Sequence, residues 1–255
     1  MPRKLSAAII TYNEEAKIKR ALISLRPVCD EIVVVDSFSN DSTVEICRQY
    51  ADRVLQRDWS GYRDQKQFAT DQTHFDWVLS LDADEELSTE LRDEIAAWKR
   101  TSEDSLDAYY LPRLTFFMGR WIRHTTWYPD WQLRLFRKSQ GKWEGGRVHE
   151  AFKTHGSTGK MTGHLFHYTY SNITEYLAQL ERFSNLAALD YYDRGKRAGF
   201  FHLALYPPVL FLKNYLIHLG FLDRMPGFVV SCLAATSAFF KYLKLMELQE
   251  TKKDR

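Results

Sequence analysis

Cysteine is scarce. Cys29, Cys47 and Cys232 are the only three in 255 residues, far apart and odd in number. They argue against a disulfide framework or a zinc cluster and suit a reducing compartment. Charge of one sign is also missing: 35 Lys and Arg against 33 Asp and Glu give a formal net charge of +2. With no basic tail and no RNA-binding signature, no nucleic-acid partner is expected. The N-terminal apolar run is short and leads into Tyr12-Asn13-Glu14-Glu15, a poor signal peptide. No stretch cleanly supplies the roughly 20 apolar residues of a membrane span. No glycine-rich phosphate loop follows the first apolar run. What is present is an ordinary globular composition, 45% hydrophobic and 27% charged, sufficient for one large domain or one domain plus an appendage.

The most informative stretch is Trp77-Val78-Leu79-Ser80-Leu81-Asp82-Ala83-Asp84-Glu85-Glu86. An apolar run ends in four acids within five residues, so it reads as a buried strand carrying carboxylates to its C-terminal tip. If strand geometry persists, Asp82 and Asp84 point to the same side. Two such carboxylates suit a hard divalent cation with oxygen ligands, often shared with a phosphate. Glu86 reads as a solvated acid starting the next helix, with the same role as one alternative for Glu85.

Two similar tips precede it. Leu5 to Ile10 is an apolar run followed by Thr11–Glu15, and Ile32-Val33-Val34-Val35 ends in Asp36. Between the strands lie helical patterns: Ile18, Ala21, Leu22 and Leu25, stopped by Pro27; Val44, Ile46, Cys47 and Tyr50, with Asp41 or Ser42 as cap; Tyr62 to Thr73; and Leu91, Ile95 and Trp98 after Ser88-Thr89-Glu90. Arg53 to Gln56 is a further short strand. Strand–helix alternation with connections too long for hairpins predicts an α/β fold: a mostly parallel sheet flanked by helices, with ligands at the C-terminal strand ends. From Ala108 the pattern changes to aromatic, β-branched runs: Ala108–Phe117, Gln132–Arg137, Val148–Lys153 and His164–Tyr168. Trp121, Trp127, Trp131 and Trp143 lie among them, as core or as stacking surfaces for sugar. Arg134 and Arg137 alternate with apolar neighbours, as on the wet face of a strand, or pair with a diphosphate.

Asn172 and Glu175 form a capping box opening a helix to about Arg194. Phe200–Leu222 and Gly227–Phe240 then read as two amphipathic helices on a membrane surface. Arg194, Lys196, Arg197, Lys213, Arg224, Lys241 and Lys244 would face anionic headgroups.

Taken together, Leu5–Glu14, Val33–Asp36 with Asp41-Ser42-Thr43, and Leu81–Glu85 resemble the family-2 glycosyltransferases of GT-A fold. Tyr128–Arg137, Val148-His149-Glu150 and Gly220-Phe221-Leu222-Asp223 resemble the lipopolysaccharide-core glucosyltransferase (WaaE-like) branch, except that Arg224 stands where Gly is expected. The resemblance implies a GT-A catalytic domain over residues 1–170, with a nucleotide-binding half at 1–100 and an acceptor half at 101–170. Residues 171–255 form the C-terminal helical extension. It also implies an inverting transfer from a uridine diphosphate (UDP) sugar, glucose or another hexose, to a hydroxyl of a glycan or glycolipid. The location expected is the cytoplasmic face of a bacterial inner membrane.

Under that reading, Thr11, Asn13 and Glu14 line the nucleotide pocket. Asp36 suits hydrogen bonding to uracil or ribose. Asp84 ligates Mg²⁺ or Mn²⁺, and Asp82 addresses the ribose or, through water, the metal. Lys66 is within reach of a phosphate, although a lone Lys is more often solvated. His149 contacts metal or diphosphate, or is structural. The general base is Asp130, whose position resembles the family's acid, or Glu150. Two other readings compete. A nucleotidyltransferase shares the sheet and the metal site but lacks the expected phosphate loop. A non-catalytic nucleotide-sugar-binding scaffold sits poorly with a full set of acids.

Overall fold

The computed structural model describes residues 2–101, 106–146, 150–170 and 172–251. His149 and Val148 lie outside the described residues. Two compact units make up the chain. Unit 1 is Met1–Leu114, Asp130–Gly145 and His149–Thr169; unit 2 is Thr115–Pro129, Gly146–Val148 and Tyr170–Arg255.

The apolar runs of unit 1 form β1 (Leu5–Thr11), β2 (Glu31–Asp36), β3 (Arg53–Gln56) and β4 (Trp77–Asp82). Between them lie α1 (Ile18–Leu25), α2 (Thr43–Tyr50) and α3 (Tyr62–Asp71). A short β5 (Glu85–Leu87) precedes α4 (Thr89–Arg100), which starts where Ser88 Oγ accepts from the Leu91 amide at 3.1 Å. β1 is central and pairs in parallel with β2 and β4. Both of its faces are covered, which is why β1 and β2 are buried along their whole length. Leu5, Ala7 and Ile9 pack with Ile18 and Leu22 of α1 and with Leu91 and Ile95 of α4. Ala8 and Ile10 belong to a separate core with Ala69 of α3. The two-residue period of a strand divides these neighbours.

Later strands are β6 (Ala108–Phe117), β7 (Arg120–Trp121), β8 (Asp130–Arg137), β9 (Gly141–Gly145), β10 (Glu150–Thr154), β11 (Thr158–Lys160) and β12 (Leu165–His167). The main sheet runs β3-β2-β1-β4-β8-β6-β12-β5, while β9 and β10 make a separate hairpin. β8 is antiparallel to both β4 and β6, so its N-terminal end lies beside the C-terminal end of β4. The sheet is therefore mixed, its parallel part extended by antiparallel strands, in keeping with the mostly parallel sheet expected. Trp143 is core, edge-on to Phe136, which stacks on Phe152.

Unit 2 contains α5 (Ile173–Asp193), α6 (Phe200–Ala204), α7 (Tyr206–Leu212) and α8 (Arg224–Thr251). Asn172 Oδ1 accepts from the Glu175 amide at 2.9 Å, as the capping pattern predicts. Ala188, Tyr242 and Leu245 form the core between α5 and α8. The expected pair of amphipathic helices is replaced by two short helices and one of 28 residues, α8, which by length and composition is long and apolar enough to cross a membrane. The lysines after Phe240 do not end this helix because they are accommodated by α5. Lys244 Nζ donates to the Glu181 carbonyl at 3.0 Å and to Ser184 Oγ at 2.9 Å.

Candidate active site

Register brings the three acidic tips together. Thr11 pairs with Asp36, and Ile10 with Asp82, across adjacent parallel strands. On the β1–β2 side, Asp36 is fully buried and accepts from the Ser39 amide at 2.9 Å, from Ser39 Oγ and from Gln56 Nε2 at 3.2 Å. Asn13, at φ 53°, turns the chain there. Its Oδ1 accepts from the Asn40 amide at 2.9 Å, and its own amide donates to Ser39 Oγ at 2.8 Å. The Glu14 amide donates to Thr43 Oγ1 at 2.8 Å. Asp41 accepts from the Thr43 and Glu15 amides, so it fastens the two loops as well as starting α2. Thr11 Oγ1 and Gln65 Oε1 are buried without a hydrogen-bond partner. Buried polar atoms are nearly always satisfied, so these two suit a ligand with matching groups.

On the β4 side, charges form a continuous chain. Glu150 Oε1 meets Lys66 Nζ at 2.8 Å, and Lys66 Nζ meets Asp82 Oδ1 at 2.8 Å. Asp82 Oδ2 meets Arg134 Nη2, which also contacts Glu85 Oε1 at 2.7 Å. Glu85 Oε1 lies 3.3 Å from Arg113 Nη1, and Arg113 Nη2 lies 2.6 Å from Asp130 Oδ2. Gln132 Nε2 donates to Asp130 Oδ1 at 2.7 Å. The two carboxylates expected as alternative bases thus stand at opposite ends of one ion chain. Burial opposes ionisation of Asp82, but Arg134 and Lys66 outweigh it and hold its carboxyl far below the usual range. Burial likewise opposes the charge on Arg134, but Asp82 and Glu85 raise its pKa above the ordinary value.

Several sequence expectations change here. Glu85 is not a solvated acid but a fully buried partner of two arginines. Lys66 is buried rather than solvated, with its ammonium 5.2 Å from the Trp143 ring centre. Arg134 does not lie on a wet face: it is 3% exposed. The cause is a β-bulge. Tyr109 pairs with Leu135 and Tyr110 with Leu133, so Arg134 is the extra residue with no partner in β6. A bulge re-aims a side chain, and alternation no longer predicts which face it takes. Strand geometry also fails to persist past Asp82. Ala83 and Asp84 form a turn, and the two aspartates take different partners.

Asp84 Oδ2 lies 3.4 Å from His167 Nε2 on β12. Burial opposes ionisation of Asp84, but His167 outweighs it and lowers its pKa. No three His, Cys, Asp or Glu converge among the described residues, so they contain no preformed protein cage. One carboxylate beside an imidazole nevertheless fits a divalent cation that takes its other ligands from water and substrate phosphate. Asp82, already balanced by two cations, fits that role less well.

The sequence reading missed Gln65, Arg113 and His167. A signal existed for Arg113: a lone cation inside the apolar run Ala108–Phe117 needs a buried anion. No comparable pattern marked Gln65 or His167.

Residues 6–160 match the family model described as Glycosyl transferase family 2. An uncharacterised glycosyltransferase of Rickettsia typhi is 34% identical, over 96% of this chain and 88% of that protein. The lipopolysaccharide core biosynthesis glycosyltransferase LpsC of Rhizobium meliloti is 32% identical, over 93% of each. The crystal structure of S. aureus TarS 1-349 in complex with UDP-GlcNAc aligns with a TM-score of 0.50 at 17% identity. The alignment spans 98% of this chain and 92% of that one, and the shared fold is GT-A. With the acidic strand tips, the GT-A sheet and a family match over more than half the chain, this protein belongs to the family-2 glycosyltransferases.

Proposed function

We propose that the protein is an inverting, metal-assisted hexosyltransferase, moving a sugar from a UDP-sugar to a hydroxyl of a glycan or glycolipid of the cell envelope. The observation that carries this is the alignment of the Thr11, Asp36 and Asp82 strand tips beside an ion chain ending in two carboxylates. The LpsC relative, named for lipopolysaccharide core biosynthesis, supports an envelope acceptor, and the reaction is assigned to the cytoplasmic membrane surface.

Thr11, Asp36 and Gln65 are assigned to the nucleoside, with Asn13 and Glu14 shaping the turn around it. Asp82 is assigned to the ribose. Lys66, bonded on both sides, holds Asp82 and Glu150 in place. Asp84 and His167 would hold Mg²⁺ or Mn²⁺, whose charge would offset that of a departing diphosphate. Asp130 is assigned as the base, because its side chain is 30% exposed against 13% for Glu150 and both its oxygens are oriented, by Arg113 and Gln132. Asp130 takes the acceptor proton as the acceptor oxygen bonds to the anomeric carbon. The bond from that carbon to the phosphate oxygen breaks on the opposite side, which inverts the centre.

The test is a panel of nucleotide sugars with Mn²⁺ and candidate acceptors. UDP release that requires an acceptor is expected. Pyrophosphate release would replace this reading with nucleotidyl transfer, and binding without any release would leave a scaffold.

A further inference from the structure

α6 and α7 present the wrong side to water. Phe201, Leu205, Val209, Leu212 and Leu216 recur at intervals of three or four residues, the spacing of one helical face, and each is more than half exposed. Phe200 and Ile217 flank this stripe, both 73% exposed. An open groove of about 310 Å³ runs between Phe201, Leu205, Tyr206 and Val209. The opposite side is used internally: Pro207 and Asn214 are buried, and Leu203 packs against the α5–α8 core. Soluble chains rarely leave so continuous an apolar face uncovered.

The charge around it has one sign. Residues 194–246 contain seven Lys and Arg and a single acid, Asp223. Asp223 is buried and occupied by the Arg123 and His124 amides and by His124 Nδ1. Arg194, Lys196, Arg197, Lys213 and Arg224 are exposed. Arg194 pairs with Asp190 at 3.2 Å, but an apolar stripe bordered by exposed cations such as Lys196, Arg197 and Lys213 complements the acyl layer and anionic headgroups of a bilayer. The C-terminal part of α8 is held against α5. Tyr242 and Leu245 are core, and Lys244 is bonded to α5.

We infer that unit 2 docks on an anionic bilayer through the α6–α7 face, with the Phe201–Leu216 stripe in the acyl boundary and α8 remaining packed above it as scaffold. This deepens the membrane-surface part of the proposed function and does not depend on which donor the site accepts. The full chain is mixed with sedimenting vesicles of phosphatidylglycerol and phosphatidylcholine, or of phosphatidylcholine alone. Phe201→Asp combined with Val209→Asp is expected to raise the lipid needed for half-binding by about tenfold or more. Donor turnover on a soluble acceptor, and circular dichroism, stay unchanged. Lys196→Glu with Arg197→Glu and Lys213→Glu is expected to remove the preference for anionic vesicles. Undiminished binding by the double variant would overturn the inference. So would wild-type protein released by detergent but not by alkaline carbonate, which means that α8 spans. A vesicle-independent dimer lost in the double variant would assign the face to a second copy of the chain instead.

Discussion

In unit 1, Arg134 is 3% exposed, wedged between Asp82 and Glu85, whereas unit 2 leaves Phe200 and Phe201 73% exposed. Each reverses the usual preference, charge inside in one and aromatic carbon outside in the other. The difference lies in compensation. Unit 1 answers every buried charge of its ion chain with an opposite one, so the arrangement is complete within the described residues. The α6–α7 face of unit 2 has no covering partner among the described residues, so it looks outward for one. Buried, balanced charge fixes geometry for chemistry, while uncovered apolar surface marks where another phase or molecule belongs.

The comparison is tested most severely at Arg134. Arg134→Met leaves Asp82 and Glu85 facing each other, and removing one partner of a buried pair costs about 3–5 kcal/mol. Urea denaturation should show that loss, together with loss of transfer. Next is Asp130→Asn, expected to lower kcat by about 10²–10⁴-fold while nucleotide binding persists by calorimetry. Retained turnover would pass the base role to Glu150, at the other end of the chain. Asp84→Ala should abolish the response of activity to Mn²⁺, and an unchanged titration would remove Asp84 from the metal role.

A smaller effect concerns balanced charge away from the site. Burial alone would raise the pKa of Asp30, but its bonds from Lys99, Lys4 and the Leu5 amide hold it at about 2. Its stabilisation is therefore complete above the ordinary carboxylate range and is lost as pH falls toward 2. Asp30→Asn should cost about 1–2 kcal/mol at pH 7, allowing for solvent screening. The gap from wild type should close between about pH 4 and pH 2. The smallest effect is expected in unit 2, where Arg224 sits at φ 58°, ψ −139°, a region suited to Gly. Arg224→Gly should stabilise by about 1 kcal/mol, measured as a rise in Tm.

Much of unit 1 was legible in the sequence because apolar runs and helical spacing report burial directly. The β1, β2 and β4 tips and the α1 to α4 pattern all follow from it. Asp130 and Glu150 were singled out as a pair of candidates, yet their link through Lys66, Asp82, Arg134, Glu85 and Arg113 was not visible. That link depends on β8 entering antiparallel between β4 and β6, which local pattern does not encode. The burial of Glu85 was not visible because acids before a helix are usually solvated. It is the buried start of a short strand instead. The length of α8 was missed because Lys241 and Lys244 read as a boundary, whereas α5 receives Lys244 and the helix continues.

The bulge at Arg134 bears on any attempt to regularise this enzyme. It sets the two halves of β8 out of phase, so Leu133 and Leu135 both meet consecutive residues of β6. Deleting one residue would give an even ladder of the kind designers favour, and sequence scoring by alternation would approve it. Yet with Arg134 gone, Leu133 and Leu135 would keep Tyr110 and Tyr109 as partners, and the sheet would survive while Asp82 and Glu85 lost the cation between them. The irregular ladder is thus a socket: it sets one residue outside the pairing and puts its cation between two acids.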